Sequence, residues 1–116
     1  MKYLCLIYND EKKVDAISKS EYDALCEEAL AYEEELRKSG RLLVAEALQP
    51  VQAATSVRIK STQVSITDGP FVETKEQLAG FFLIDARDLN DAIRVASKIP
   101  PARLGGVEVR PIRDLR

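Results

Sequence analysis

The chain has 116 residues, with 17 basic and 19 acidic side chains and a formal charge of −2. That length suits one domain, 1–116, and the near balance of charge leaves no positive field to recruit a nucleic-acid backbone. Its apolar runs fall short of the ~20 residues that span a bilayer, so a membrane is not expected as a partner either.

Histidine is absent, which removes the commonest general base and the commonest metal ligand together; no metal and no cofactor is expected. Cys5 and Cys26 are far apart and fit no metal-type spacing, so both read as buried, reduced thiols. No small-residue cleavage site follows the short apolar run Leu4-Cys5-Leu6-Ile7, which points to a strand in a cytoplasmic protein.

In chain order, Lys2 to Tyr8 alternates with Tyr3, Cys5 and Ile7 on one face and Leu4, Leu6 and Tyr8 on the other, a first strand apolar on both sides. A polar exit loop, Asn9 to Lys13, follows, continuing through Val14 to Lys19 as irregular structure or a short helical turn. Ser18 with Glu21 fits a capping box, with Ser20 as the other candidate cap. Tyr22, Leu25, Cys26, Ala29, Tyr32 and Leu36 then recur at helical spacing until Gly40 stops the helix. The run Glu33-Glu34-Glu35 reads as a solvated face. Arg41 to Leu48 reads as a second strand buried on both sides and ended by Pro50.

Ser56–Lys60 and Gln63–Thr67 form a hairpin with Val57, Ile59, Val64 and Ile66 on one face and polar residues on the other. Next comes a charged connection of about a dozen residues, long enough to suggest function, in which Glu73, Lys75 and Glu76 fit a short helix. Gly80 opens the apolar strand Phe81-Phe82-Leu83-Ile84. Asp88 caps a helix whose inner face is Leu89, Ala92, Ile93 and Ala96, and Ile99-Pro100-Pro101 ends it. Gly105-Gly106 leads into the last strand, with Val107 and Val109 on one face and Glu108, Arg110 and Ile112 on the other.

Without the hairpin the order is strand, helix, strand, strand, helix, strand, the split βαβ plan of an α+β, ferredoxin-like fold. Two helices cover one sheet face, yet the strands are apolar on the other face as well. The simplest cover is a second copy packed sheet to sheet, giving a homodimeric α/β barrel. The alternative is that the hairpin folds back over its own sheet.

The opening strand Met1 to Tyr8, Val57-Arg58, Thr67-Asp68-Gly69-Pro70-Phe71 with Glu73, Lys75 and Glu76, then Gly80-Phe81, Asp88-Leu89, Pro100 and Glu108-Val109-Arg110-Pro111 together resemble the DGPF-motif branch of the YCII-related family over nearly the whole chain. The resemblance implies a ferredoxin-like dimeric α/β barrel with a cleft between sheet and loops. Its wider relatives include small lyases and isomerases that pair a His with an Asp. With no His here, any chemistry must run on carboxylates, Lys, Arg or Tyr. The resemblance also implies a link to extracytoplasmic-function sigma factors.

Three functions stay open: a dimer binding a small ligand, a lyase- or isomerase-type enzyme, and an interaction partner of a sigma factor. Asp68 is the candidate general base, or else a clasp whose carboxylate hydrogen-bonds the turn. Arg110 is read as lying on the enclosed side of the barrel, paired with Glu73, Asp68 or Glu108 or waiting for a small anionic ligand. Tyr8, Phe71, Glu73 and Lys75 complete the candidate ligand-binding set.

Overall fold

Two-residue alternation builds the central sheet. In a computed structural model, which describes residues 1–115, β1 (Lys2–Asn9) buries Tyr3, Cys5, Ile7 and Asn9 toward the helices and turns Leu4, Leu6 and Tyr8 the other way. It lies between β5 (Gln77–Asp85) and β6 (Gly105–Pro111), antiparallel to both, and β2 (Leu42–Ala47) pairs with the outer side of β5. The order β2-β5-β1-β6 is the connectivity expected of a split βαβ core. β3 (Thr55–Lys60) and β4 (Gln63–Asp68) form a separate two-stranded sheet.

Both long-range helices start as their caps predict. The Ser18 hydroxyl oxygen accepts from the Glu21 N–H at 3.1 Å and opens α2 (Lys19–Lys38), preceded in the chain by α1 (Glu11–Ala16). Asp88 accepts from the Asp91 N–H at 2.8 Å and opens α3 (Leu89–Ala96). Gly40, at φ 75°, closes α2, with the Arg41 N–H reaching back to the Leu36 carbonyl at 2.9 Å. The Tyr32 hydroxyl on α2 donates to the Val95 carbonyl on α3 at 2.6 Å and ties the two helices over the sheet. Beneath them Ile84, Ile99 and Cys5 are fully buried, and each such aliphatic side chain contributes about 1.5–3 kcal/mol.

Of the two readings left open after Asn9 the helical one holds: Glu11–Ala16 is a helix, capped where the Asp10 side chain accepts from the Lys12 N–H, although it begins earlier, within the expected loop. Other sequence expectations change. β2 is not buried on both sides: it is an edge strand, and Leu43 and Val44 are exposed. On α3 the inward residues are Asp91, Ala92, Val95 and Ala96, while Leu89 and Ile93 are exposed; the helix turns the buried Asp91 carboxylate toward Arg41. β5 starts at Gln77, which leaves only residues 69–76 between β4 and β5, and that connection contains no helix.

The hairpin does not fold back over the sheet with its apolar face. Val57, Ile59, Val64 and Ile66 share one face, and Ile59 and Ile66 remain 73% and 70% exposed. The molecule is correspondingly flat, 45 × 45 × 19 Å, with a radius of gyration of 15.9 Å against roughly 13 Å for a compact domain of this length. No described helix is long and apolar enough to cross a membrane.

Candidate functional site

The sheet face opposite the helices is built in rows set by strand register. Val44, Leu83, Leu4 and Arg110 lie side by side across β2, β5, β1 and β6, and Glu46, Phe81, Leu6 and Glu108 form the next row. Each row has an apolar middle; the first ends in Arg110, and the second is charged at both ends, Glu46 and Glu108. Leu4, Leu6, Phe81 and Leu83 are half-buried by their neighbours alone.

One step further along, Tyr8 stands opposite Leu78 and Gly106, beside the 69–76 connection. Tyr8, Thr74, Lys75, Glu76, Val107 and Glu108 line a shallow, open depression there. Close approach is possible because Gly105 has no side chain; a Cβ at this position would overlap the Tyr8 carbonyl and lie 2.9 Å from the Glu76 carboxylate. Thr74 donates to the Glu76 carbonyl and the Gln77 amide donates to the Thr74 carbonyl at 2.6 Å, so the connection is fastened by local hydrogen bonds.

A family model for the YCII-related domain matches residues 1–116. The chain belongs to the YCII-related family. It is also 38% identical over 114 residues to a protein of Rhizobium meliloti (strain 1021) described as uncharacterized, covering 97% of this chain and 92% of that one.

The six candidate residues of this YCII-related chain do not converge. Tyr8 and Lys75 share the depression. In the single chain Arg110 is exposed on the helix-free face and pairs with Glu108, two residues away on the same strand face. Phe71 sits under the Arg58 guanidinium, 4.0 Å from its ring centroid, on the connection leaving β4. Asp68 ends β4 opposite Thr55, and Glu73 is exposed on the connection. Among the described residues neither carboxylate has a hydrogen-bond or ion-pair partner.

The turn after Asp68 is therefore held by other groups. The Gly69 N–H donates to the Ala54 carbonyl and the Ser56 hydroxyl donates to the Gly69 carbonyl, each at 2.8 Å. Gly69 has φ 106°, a conformation in which other residues are strained. Glycine chemistry and the neighbouring strand, not the Asp68 carboxylate, explain this clasp.

Two acidic positions carry more structure than sequence reasoning assigned them. Asp91 on α3 is 3% exposed and gathers Arg41, Arg87 and Arg94, and the Arg87 backbone N–H donates to it at 3.0 Å. That N–H bond, followed by the Arg41 contact, holds its carboxyl well below the usual range. Glu33 is half-buried on α2, and burial raises its pKa; Arg37 lowers it and Glu46 raises it again. The signal for Glu33 is in the helical spacing, since Cys26, Ala29, Glu33 and Leu36 follow one stripe of the helix. Among the described residues no group of three or more His, Cys, Asp or Glu side chains is placed to hold a metal.

Proposed function

We propose that this protein, of the DGPF-motif branch, works as a homodimer joined through the helix-free sheet face into a ferredoxin-like, dimeric α/β barrel, and that the dimer binds a small anionic ligand at the edge of that face. The observation that carries the reading is the strip Leu4, Leu6, Phe81 and Leu83, an apolar surface running down the two central strands with no layer over it among the described residues. Under a two-fold axis the strip meets itself, apolar middle on apolar middle. Burial of roughly 1,200–2,000 Å² in total is the range of a stable interface. On the ligand side, Arg110 already neutralises Glu108, so the Lys75 ammonium and the Tyr8 hydroxyl are the donors offered by the depression.

A lyase or isomerase using Asp68 as base and Arg110 as clamp is disfavoured by geometry. Asp68 ends a hairpin strand while Arg110 is engaged on β6. Sedimentation velocity at micromolar concentration tests the dimer, with twice the 12.9 kDa chain mass expected and Leu6→Arg sedimenting as a monomer. A wild-type monomer would overturn it. A thermal-shift screen of small carboxylates and phosphates tests the ligand: binding raises Tm by mass action, and Lys75→Ala removes the shift.

A further inference from the structure

The buried Asp91 carboxylate collects more positive charge than it can neutralise. Its Oδ2 accepts from the Arg87 backbone N–H at 3.0 Å, while three guanidiniums, those of Arg41, Arg87 and Arg94, share its Oδ1. Arg41 makes the close contact. Arg87 and Arg94 stand off at 3.5 and 3.6 Å, beyond the roughly 2.7–2.9 Å of a charge-assisted hydrogen bond. Among the described residues neither has another acidic partner.

Arg41, Arg87, Asp91 and Arg94 line an open depression beside the end of β5. The other carboxylates nearby are in use. Asp85, on its rim, accepts from the Met1 amine at 3.0 Å, and Asp88 accepts from the Asp91 N–H at 2.8 Å. Three guanidiniums around one acid leave an excess of positive charge, which is complementary to a second anion placed over them. The spacing suits one such group: the Arg87 and Arg94 Nη atoms flank a single oxygen and are at most about 7 Å apart. Two oxygens of one phosphate can bridge donors that far apart, and the planar guanidinium fork matches phosphate geometry. Both side chains are largely exposed, at 77% and 59%, so their remaining N–H groups are open to a ligand, whereas Asp91 is buried.

The geometry points to a phosphate-binding site in this depression, where Arg87 and Arg94 hold a doubly charged phosphate group and Arg41, locked to Asp91, fixes the acid that positions them. Free phosphate and a small phosphate ester present the same group. Arg87 and Arg94 belong neither to the proposed dimer face nor to the depression beside Tyr8 and Lys75.

The test is a two-dimensional NMR titration of the full isotope-labelled chain at pH 8 with inorganic phosphate and with glycerol 3-phosphate, sodium chloride holding the ionic strength fixed. Both are expected to move the amide signals of Arg87, Asp91 and Arg94 saturably, in the millimolar range or tighter. Binding beside Lys75 would move Tyr8, Thr74 and Glu76 instead, so the two readings fail separately. Tighter binding of the ester marks a small phosphorylated molecule as the ligand; equal binding marks phosphate itself. Arg87→Gln and Arg94→Gln, at exposed side chains, should each weaken binding at least about tenfold and leave distant signals in place, showing that the fold is kept. Lys75→Ala should leave this binding unchanged. Signals of Arg87, Asp91 and Arg94 that do not move, movement that sodium chloride alone reproduces, or undiminished binding when both arginines are replaced would overturn the proposal.

Discussion

Arg41, just before β2, meets the buried carboxylate of Asp91 on α3, joining two segments fifty residues apart. Arg94 and Arg87 approach the same carboxylate at 3.6 and 3.5 Å. One acid thus anchors the start of the edge strand, the approach to α3 and α3 itself. Removing it would leave Arg41 without its buried counter-charge.

The sign of the resulting pH dependence follows from the lowered pKa. The unfolded carboxyl titrates near about 3.9, so below that pH the unfolded chain binds the proton that the folded chain resists. The contribution of Asp91 is complete above about pH 5 and is lost as pH falls toward the folded value. Asp91→Asn is expected to lower Tm by several degrees at pH 7 and to flatten the fall in Tm between pH 5 and pH 3. Thermal unfolding followed by circular dichroism at both pH values checks it; a variant that keeps the wild-type acid slope would show that Asp91 is not the group responsible.

The two thiols should differ sharply. Cys5 is fully buried in the middle of β1, and desolvation pushes its pKa up to about 11, whereas Cys26 is half-buried beside a cavity between α2 and the sheet. At pH 8 a disulfide reagent is expected to modify Cys26 readily and Cys5 only through opening of the core, slower by roughly a thousandfold or more. Because the folded Cys5 holds its proton more tightly than the unfolded thiol, its stabilising contribution is full below pH 9 and declines as pH rises through about 11. Tyr32, raised to about 12 by burial first and then by Glu35, extends that alkaline loss. Peptide mapping after timed labelling decides the first point; simultaneous modification of both thiols would contradict the burial of Cys5.

Gly80 is required for space, not for an unusual φ. Gly80→Ala would bring its Cβ to 2.7 Å from the Glu46 carbonyl and 3.3 Å from the Ala47 Cα, backbone atoms that cannot rotate away. The strand pair β2–β5 must then separate, and a loss of about 1–3 kcal/mol is expected in urea unfolding. A denaturation midpoint equal to wild type would mean that the edge strand shifts at no cost.

Features whose causes lie within a few residues were legible in advance. Ser18 with Glu21, Asp88 and Gly40 act through neighbouring backbone groups, so the helix ends could be read directly. The cap that starts α1 is equally local, but Val14 and Ile17 are too few apolar residues to decide between irregular structure and a helix over Glu11–Ala16. At the candidate site, Gly69 was legible as a positive-φ position. Which carboxylate partners Arg110 was not, because Glu73, Asp68 and Glu108 were all open to it and only the folded strand selects Glu108.

By itself, then, the sequence determined the core strands, the two faces of β1, the caps of α2 and α3 and the split βαβ order, since these depend on side-chain period and local hydrogen bonding. The tertiary structure alone decided that β2 is an edge, that α3 turns Asp91 inward toward Arg41, and that a cavity remains between α2 and the ends of β2 and β5. Those outcomes come from packing between segments distant in the chain, where a rotation or a gap is set by the partner surface and leaves no period in the sequence of either partner.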